Sequence, residues 1–132
     1  MKKQNILTVD DDITILELLK SILSKHGYRT ISALNGKDAL TQLDKNNYID
    51  AIILDICMPE MDGRKTLESI KSKEKIKNTP VLMLTGENAV SDVSECLTLG
   101  ANDYMVKPFE PNVLISRLQK ILPPRGNLAD QS

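Results

Sequence analysis

Residues 51–55 read Ala-Ile-Ile-Leu-Asp, four apolar side chains in succession that run straight into a carboxylate. An unbroken apolar run of strand length has no polar face, so it suits a strand covered on both sides, as in a buried parallel sheet. The same pattern recurs along the chain: ILTV at 6–9 runs into Asp10, Asp11 and Asp12, VLML at 81–84 into Thr85, and the shorter YMV at 104–106 into Lys107 and Pro108. Strands of an open parallel sheet end on one shared edge. Carboxylates, a hydroxyl and an amine are therefore expected to converge there.

Between these runs the apolar period lengthens to that of a helix. Residues 13–25 carry Ile15, Leu18, Leu19, Ile22 and Leu23 at the spacing of one helix face, and Gly27 stops the segment. Residues 28–33 read as a second strand, 37–46 as a helix packing Ala39, Leu40 and Leu43, and 50–54 as the third strand, with Pro59 and a Met61-Asp62-Gly63 turn behind it. A weaker helical pattern at 64–73 leads into SKEKIKNT, a stretch polar enough to be a solvated loop. After the fourth strand a helix presents Val90, Val93, Cys96 and Leu97 and ends at Gly100, a left-handed C-cap position. Residues 103–106 form the fifth strand. The last helix runs from Pro111 to Leu122, buries Leu114, Leu118, Ile121 and Leu122, and stops at Pro123-Pro124. Five strands alternating with five helices of crossover length define an α/β protein, a parallel sheet with helices on both faces, which binds ligands beyond the carboxyl ends of its strands.

A chain of 132 residues fits one domain, with 41% apolar and 27% charged residues in the ordinary range of globular proteins. A net charge of −1 gives no electrostatic reason to expect binding to nucleic acid or a membrane. The apolar runs are too short to cross a bilayer, and MKKQNILTVD lacks the apolar core and cleavage site of a signal peptide, so a cytoplasmic protein is expected. Cys57 and Cys96 read as free thiols in that setting. Neither belongs to a CxxC or neighbours the single histidine, His26, so zinc spacing is absent; His26 beside Gly27 suits the C-terminal end of the first helix.

Asp10, Asp11 and Asp12 have two readings. They can be an acidic turn that caps the first helix, or part of a metal site. Asp55 favours the second, because two buried strand ends that bring carboxylates together repel unless a cation lies between them. Hard oxygen donors select Mg²⁺ or a similar ion such as Mn²⁺. A carboxylate can also attack phosphorus, forming an acyl phosphate, if the charge on the transferring group is neutralised. Thr85 and Lys107 suit that task together, although singly a Thr cap and a surface Lys would explain them.

The four pieces ILTVDDD, AIILDICMPEMDG, VLMLTGEN and YMVKPF, in this order, resemble the receiver domains of two-component response regulators, including chemotaxis regulators. The resemblance covers residues 1–122 and leaves 123–132 as a C-terminal tail or the start of a linker. It implies a flavodoxin-like sheet of strand order 2-1-3-4-5. It further implies that Asp55 is the phosphoacceptor, that Asp10, Asp11, Asp55 and the backbone carbonyl of Cys57 hold Mg²⁺, with Asp11 the direct ligand of the acidic pair, and that Lys107 binds the phosphoryl group. Thr85 and Tyr104 match the switch pair, though Tyr104 can equally be a half-buried strand tyrosine. Pro108 matches a proline whose preceding peptide bond is often cis. Asp12 has no metal role by this comparison and suits the helix N-cap.

The implied partners are a sensor histidine kinase or histidine phosphotransfer protein as donor and, on the face made by the fourth helix, fifth strand and fifth helix, an output domain, a separate protein or a second copy. Two positions depart from the commoner forms: Cys57 flanks the phosphoacceptor, and Gly86 follows the switch Thr. With Glu87, Cys57 is expected to flank the path of hydrolytic water and tune the phosphate's lifetime. A redox role for Cys57 would require an exposed thiol of low pKa. Other functions fit less well. An aspartate-nucleophile phosphohydrolase needs a second catalytic Asp soon after Asp55, where the chain has DICMPEMDG. A flavin carrier needs a hydroxyl-rich loop where the chain has DDD. A phosphorylation-independent interaction domain has no use for the full acceptor set. The chain is thus expected to catalyse only its own phosphorylation and dephosphorylation, either free-standing, as a relay intermediate, or as the receiver part of a larger regulator.

Overall fold

The computed structural model describes residues 3–46, 48–58, 61–86 and 92–123. Its strands are β1 (Asn5–Val9), β2 (Arg29–Ala33), β3 (Ala51–Asp55), β4 (Val81–Thr85) and β5 (Asp103–Val106). They alternate with α1 (Ile13–Lys25), α2 (Gly36–Lys45), α3 (Gly63–Lys71), α4 (Val93–Thr98) and α5 (Pro111–Ile121). All strand pairs are parallel and the order is β2-β1-β3-β4-β5, the doubly wound sheet that the resemblance implied. Every residue of β3 and β4 is buried, as their unbroken apolar runs require, whereas β2 and β5 lie at the edges and bury only Ala33 and Met105.

Alternation along the strands divides the core in two. Leu7, Val9, Ile52, Leu54, Val81 and Met83 pack on one face with residues of α2, α3 and α4. Ile6, Ile53, Leu82, Leu84 and Met105 pack on the other with α1 and α5. The first three helices begin where side chains satisfy their first amides: Asp12 accepts from Thr14 N–H, Asn35 from Asp38 N–H and Asp62 from Lys65 N–H. Gly27 (φ 86°) and Gly100 (φ 113°) adopt the left-handed conformation just past α1 and α4.

Four details differ from the sequence reading. In α1 the inward face is Leu16, Leu19, Ile22 and Leu23, while Leu18 is 44% exposed and Ile15 half-buried. That helix has apolar residues on more than one face, so spacing alone did not fix its phase. Leu97 is likewise 43% exposed, because α4 turns only Val93 and Cys96 inward; Val90 lies outside the described residues. In α5 Ile121 is only half-buried and Ile115 takes an inward position. The SKEKIKNT stretch is a series of turns, as expected, yet Ile76 folds back against the core and Lys71 Nζ donates to the carbonyls of Lys77 and Thr79.

At the junction between β3 and α3 the backbone packs closely against itself. Gly63 N–H donates to the Ile56 carbonyl at 2.8 Å, and a Cβ on Gly63 would collide with the Asp55 carbonyl oxygen and lie 2.6 Å from Ile56 Cα. Because the obstacle is backbone, it cannot rotate away. Gly63→Ala is therefore expected to destabilise the fold by about 1–3 kcal/mol, the range of overpacked interiors. Urea unfolding would check this, and an unchanged midpoint would contradict the close approach.

Candidate functional site

Strand register sets the site. Val9 pairs with Leu54, so Asp10 and Asp55 follow side by side; Asp55 pairs with Leu84, and Thr85 pairs with Val106, the residue before Lys107. Lys107 N–H donates to the Thr85 carbonyl at 2.7 Å. The ends of four adjacent strands thus bring Asp10, Asp55, Thr85 and Lys107 to one edge, as the sequence pattern predicted. Asp11 joins them from the β1–α1 turn.

One carboxylate oxygen from each of Asp10, Asp11 and Asp55 lies within 4.8 Å of the other two. Asp10 is fully buried, Asp55 is 4% exposed, and Asp11 faces solvent. Lys107 Nζ is 2.8 Å from Asp10 Oδ2 and 3.5 Å from Asp55 Oδ1. Two backbone amides also converge: Asp12 N–H donates to Asp10 Oδ1 at 2.9 Å and Cys57 N–H to Asp55 Oδ1 at 3.3 Å. Burial, and then repulsion from Asp10, push the Asp55 carboxyl up to about 6, against the opposing pull of Lys107 and the Cys57 amide. Burial alone would lower the Lys107 ammonium, but its hydrogen bond to Asp10 and the charges of Asp55 and Asp10 prevail and raise it.

Three carboxylates therefore face a single ammonium. The donors are all hard oxygens, two of them buried and one open to solvent, which fits a divalent cation of the Mg²⁺ type that retains part of its water shell. Such an ion would be held by Asp10, Asp11 and Asp55. Thr85 is buried beside them, and its hydroxyl donates to the Gly86 carbonyl at 2.9 Å. Tyr104 is half-buried on β5, with the Arg117 guanidinium 5.9 Å from its ring centroid. The Lys107–Pro108 peptide bond is cis.

Cys57 and Cys96 are free thiols, one exposed and one buried. Desolvation and the Asp55 and Asp92 charges raise the Cys57 thiol, opposite to the direction a redox-reactive cysteine needs. Glu87 lies outside the described residues. One charged group near the site did not stand out in the sequence: Arg64, at the start of α3, meets Glu95, 31 positions away. No local spacing signals a contact of that separation.

The Asp55 shift carries a stability consequence. A carboxyl whose pKa is raised by folding favours the protonated native state, so its contribution is complete below pH 3.8 and disappears as pH rises through about 6. In metal-free protein, Asp55→Asn is expected to exceed wild type in stability near neutral pH by up to about 3 kcal/mol, the equivalent of that shift. The gap should close on acidification. Urea melts at about pH 7.5 and about pH 4.5 would check this, and a gap independent of pH would contradict it.

Residues 6–119 match the response regulator receiver domain family. The chain is 38% identical over 122 residues to the "Probable transcriptional regulator ycf27" of Porphyridium aerugineum, a match covering 92% of this chain and 49% of the relative. It is 36% identical over 118 residues to the chemotaxis protein CheY1 of Helicobacter pylori, covering 89% of this chain and 95% of that one. The structure of chemotaxis protein CheY4 of Vibrio cholerae superposes with a TM-score of 0.86 at 35% identity, covering 92% of this chain and 100% of the other. The chain thus spans about half the length of the ycf27 relatives and nearly all of the chemotaxis proteins. Sheet order, matched residues and these similarities agree: the chain belongs to the receiver domain family of two-component response regulators.

Proposed function

We propose that Asp55 accepts a phosphoryl group from a phosphohistidine donor in a Mg²⁺-dependent reaction, and that this switches the surface made by α4, β5 and α5. The observation that carries this reading is the meeting of Asp10, Asp11 and Asp55 with the Lys107 ammonium at 2.8 and 3.5 Å from two of them. An oxygen of Asp55 attacks phosphorus, one O–P bond forms, the P–N bond to the donor imidazole breaks, and the imidazole keeps the bonding pair. Lys107 exchanges its carboxylate contacts for a phosphoryl oxygen. Asp10, Asp11, Asp55 and the Cys57 carbonyl would hold Mg²⁺, or Mn²⁺ by the same donors, which would supply charge neutralisation on the transferring group. The Thr85 hydroxyl leaves the Gly86 carbonyl for the new acceptor oxygens, and Tyr104 turns into the space this opens, a population shift driven by added charge.

On this reading the chain works in the cytoplasm, turns over no separate substrate, and catalyses only its own phosphorylation and hydrolysis. No helix among the described residues is long and apolar enough to cross a membrane. The donor is a sensor histidine kinase or histidine phosphotransfer protein. The output is a partner protein, a second copy or a further domain; the half-length match to the ycf27 relatives favours a receiver that can be joined to an output domain. Passing the phosphoryl group onward as a relay intermediate uses the same site. Cys57, two positions past Asp55 and donating its N–H to the acceptor carboxylate, tunes the lifetime of the acyl phosphate; Glu87, the other residue expected to do so, lies outside the described residues.

Incubation with Mg²⁺ and acetyl phosphate should add one phosphoryl group to the intact mass of the wild type and none to Asp55→Asn. A phosphorylated Asp55→Asn protein would place the acceptor elsewhere, and an unmodified wild type would argue for an interaction domain. In calorimetric titration with Mg²⁺, Asp11→Asn should bind at least about tenfold more weakly, since even indirect supporting residues of metal sites commonly matter that much. Unchanged affinity would remove Asp11 from the ligand set.

A further inference from the structure

Arg64, the second residue of α3, faces three carboxylates. Nη1 lies 2.7 Å from Glu95 Oε1 and 3.7 Å from Asp92 Oδ1, and Nη2 lies 3.4 Å from Asp62 Oδ2. Asp62 belongs to Arg64's own side of the contact, since its Oδ1 caps α3 by accepting from Lys65 N–H at 3.0 Å. That end of α3 is fixed to the acceptor strand by the Gly63 N–H bond to Ile56 and by packing that leaves no room for a Cβ. Asp92 and Glu95 come from the other side of the contact: Asp92 is the N-cap residue of α4 and Glu95 lies in its first turn, and among the described residues of α4 Val93 and Cys96 face the core. The Asp92 side chain makes no capping bond to its own helix. The charges that Arg64 gathers add to the burial of Val93 and Cys96 in seating α4.

We propose that Arg64 is a positioning residue that ties the Asp55 end of β3 to α4 and favours the seat α4 takes in the unphosphorylated chain. The inference rests on the receiver reading of the Asp55 site. The closed clamp accompanies an arrangement in which the Thr85 hydroxyl is engaged with the Gly86 carbonyl of its own loop, the position it holds before it moves to a phosphoryl group on that reading. An interaction present in one of two positions shifts their populations by its differential strength. The Arg64 side chain is 36% exposed and its partners are partly exposed too, so salt should weaken the clamp.

The test is the amide NMR spectrum of the wild type, Arg64→Gln, Glu95→Gln and the reversed pair Arg64→Glu with Glu95→Arg. Wild-type spectra without and with Mg²⁺ and acetyl phosphate define, for residues 94–104, the line between the two arrangements. Unphosphorylated Arg64→Gln and Glu95→Gln should move along that line toward the phosphorylated end, by about twofold to fivefold in the two-state equilibrium, the range that exposed ion pairs allow. The reversed pair should return toward the wild type. Raising salt from about 0.05 to about 0.5 M should move the wild type but not Arg64→Gln. Changes confined to the neighbours of residues 64 and 95, or displaced off the line, would overturn the proposal alone. Absence of any acetyl phosphate response in the wild type would overturn it together with the receiver reading.

Discussion

The arrangement depends on one electrostatic compromise, a pair of buried carboxylates, Asp10 and Asp55, set side by side at the end of two strands and shared by one ammonium from a third position in the fold. Either carboxylate alone could be tolerated by protonation or by its backbone amide bond. Together they create a local excess of negative charge that Lys107 only partly balances. Burial raises the Asp55 carboxyl and the neighbouring Asp10 charge adds to it, while the excess of negative charge fits a divalent cation. A site built this way is poorly satisfied by the protein alone and has room for a further cation.

What makes the compromise reproducible is register. In a parallel sheet each strand begins afresh at the same end, so residues distant in sequence reach one edge without any loop having to be long. Lys107 and Asp10 are 97 positions apart and nevertheless 2.8 Å from contact atom to contact atom. The helices contribute little chemistry to this edge. They cover the two faces of the sheet and leave its rim open.

Much of this was legible in the sequence because burial on both faces leaves a strong mark. AIILD and VLML could be nothing amphipathic, and the reactive residue after each run could only lie at the sheet's rim. The strand order was not legible from pattern and came from the resemblance. Helix phase was harder: α1 carries apolar residues on several faces, which hid the inward position of Leu16 and the outward one of Leu18. Ile76 was lost among lysines, and its burial depends on a turn that returns only in three dimensions. Asp12 was readable as a cap because capping is local, whereas Arg64 was not readable as a bridge because its carboxylates arrive from another helix.

The contrast between the centre and the edges of the sheet has an evolutionary corollary. Every residue of β3 and β4 is buried, so substitution there disturbs packing on both faces and the position of the Asp55 carboxylate at once. The outer strand β5 is half-open, and the neighbouring helices turn Leu97 and Val113 outward. Substitution on that side can therefore reshape an exposed surface while the packing that sets Asp10, Asp55 and Lys107 together stays undisturbed. The sheet thus separates a surface free to vary from a rim whose geometry every central strand holds in place.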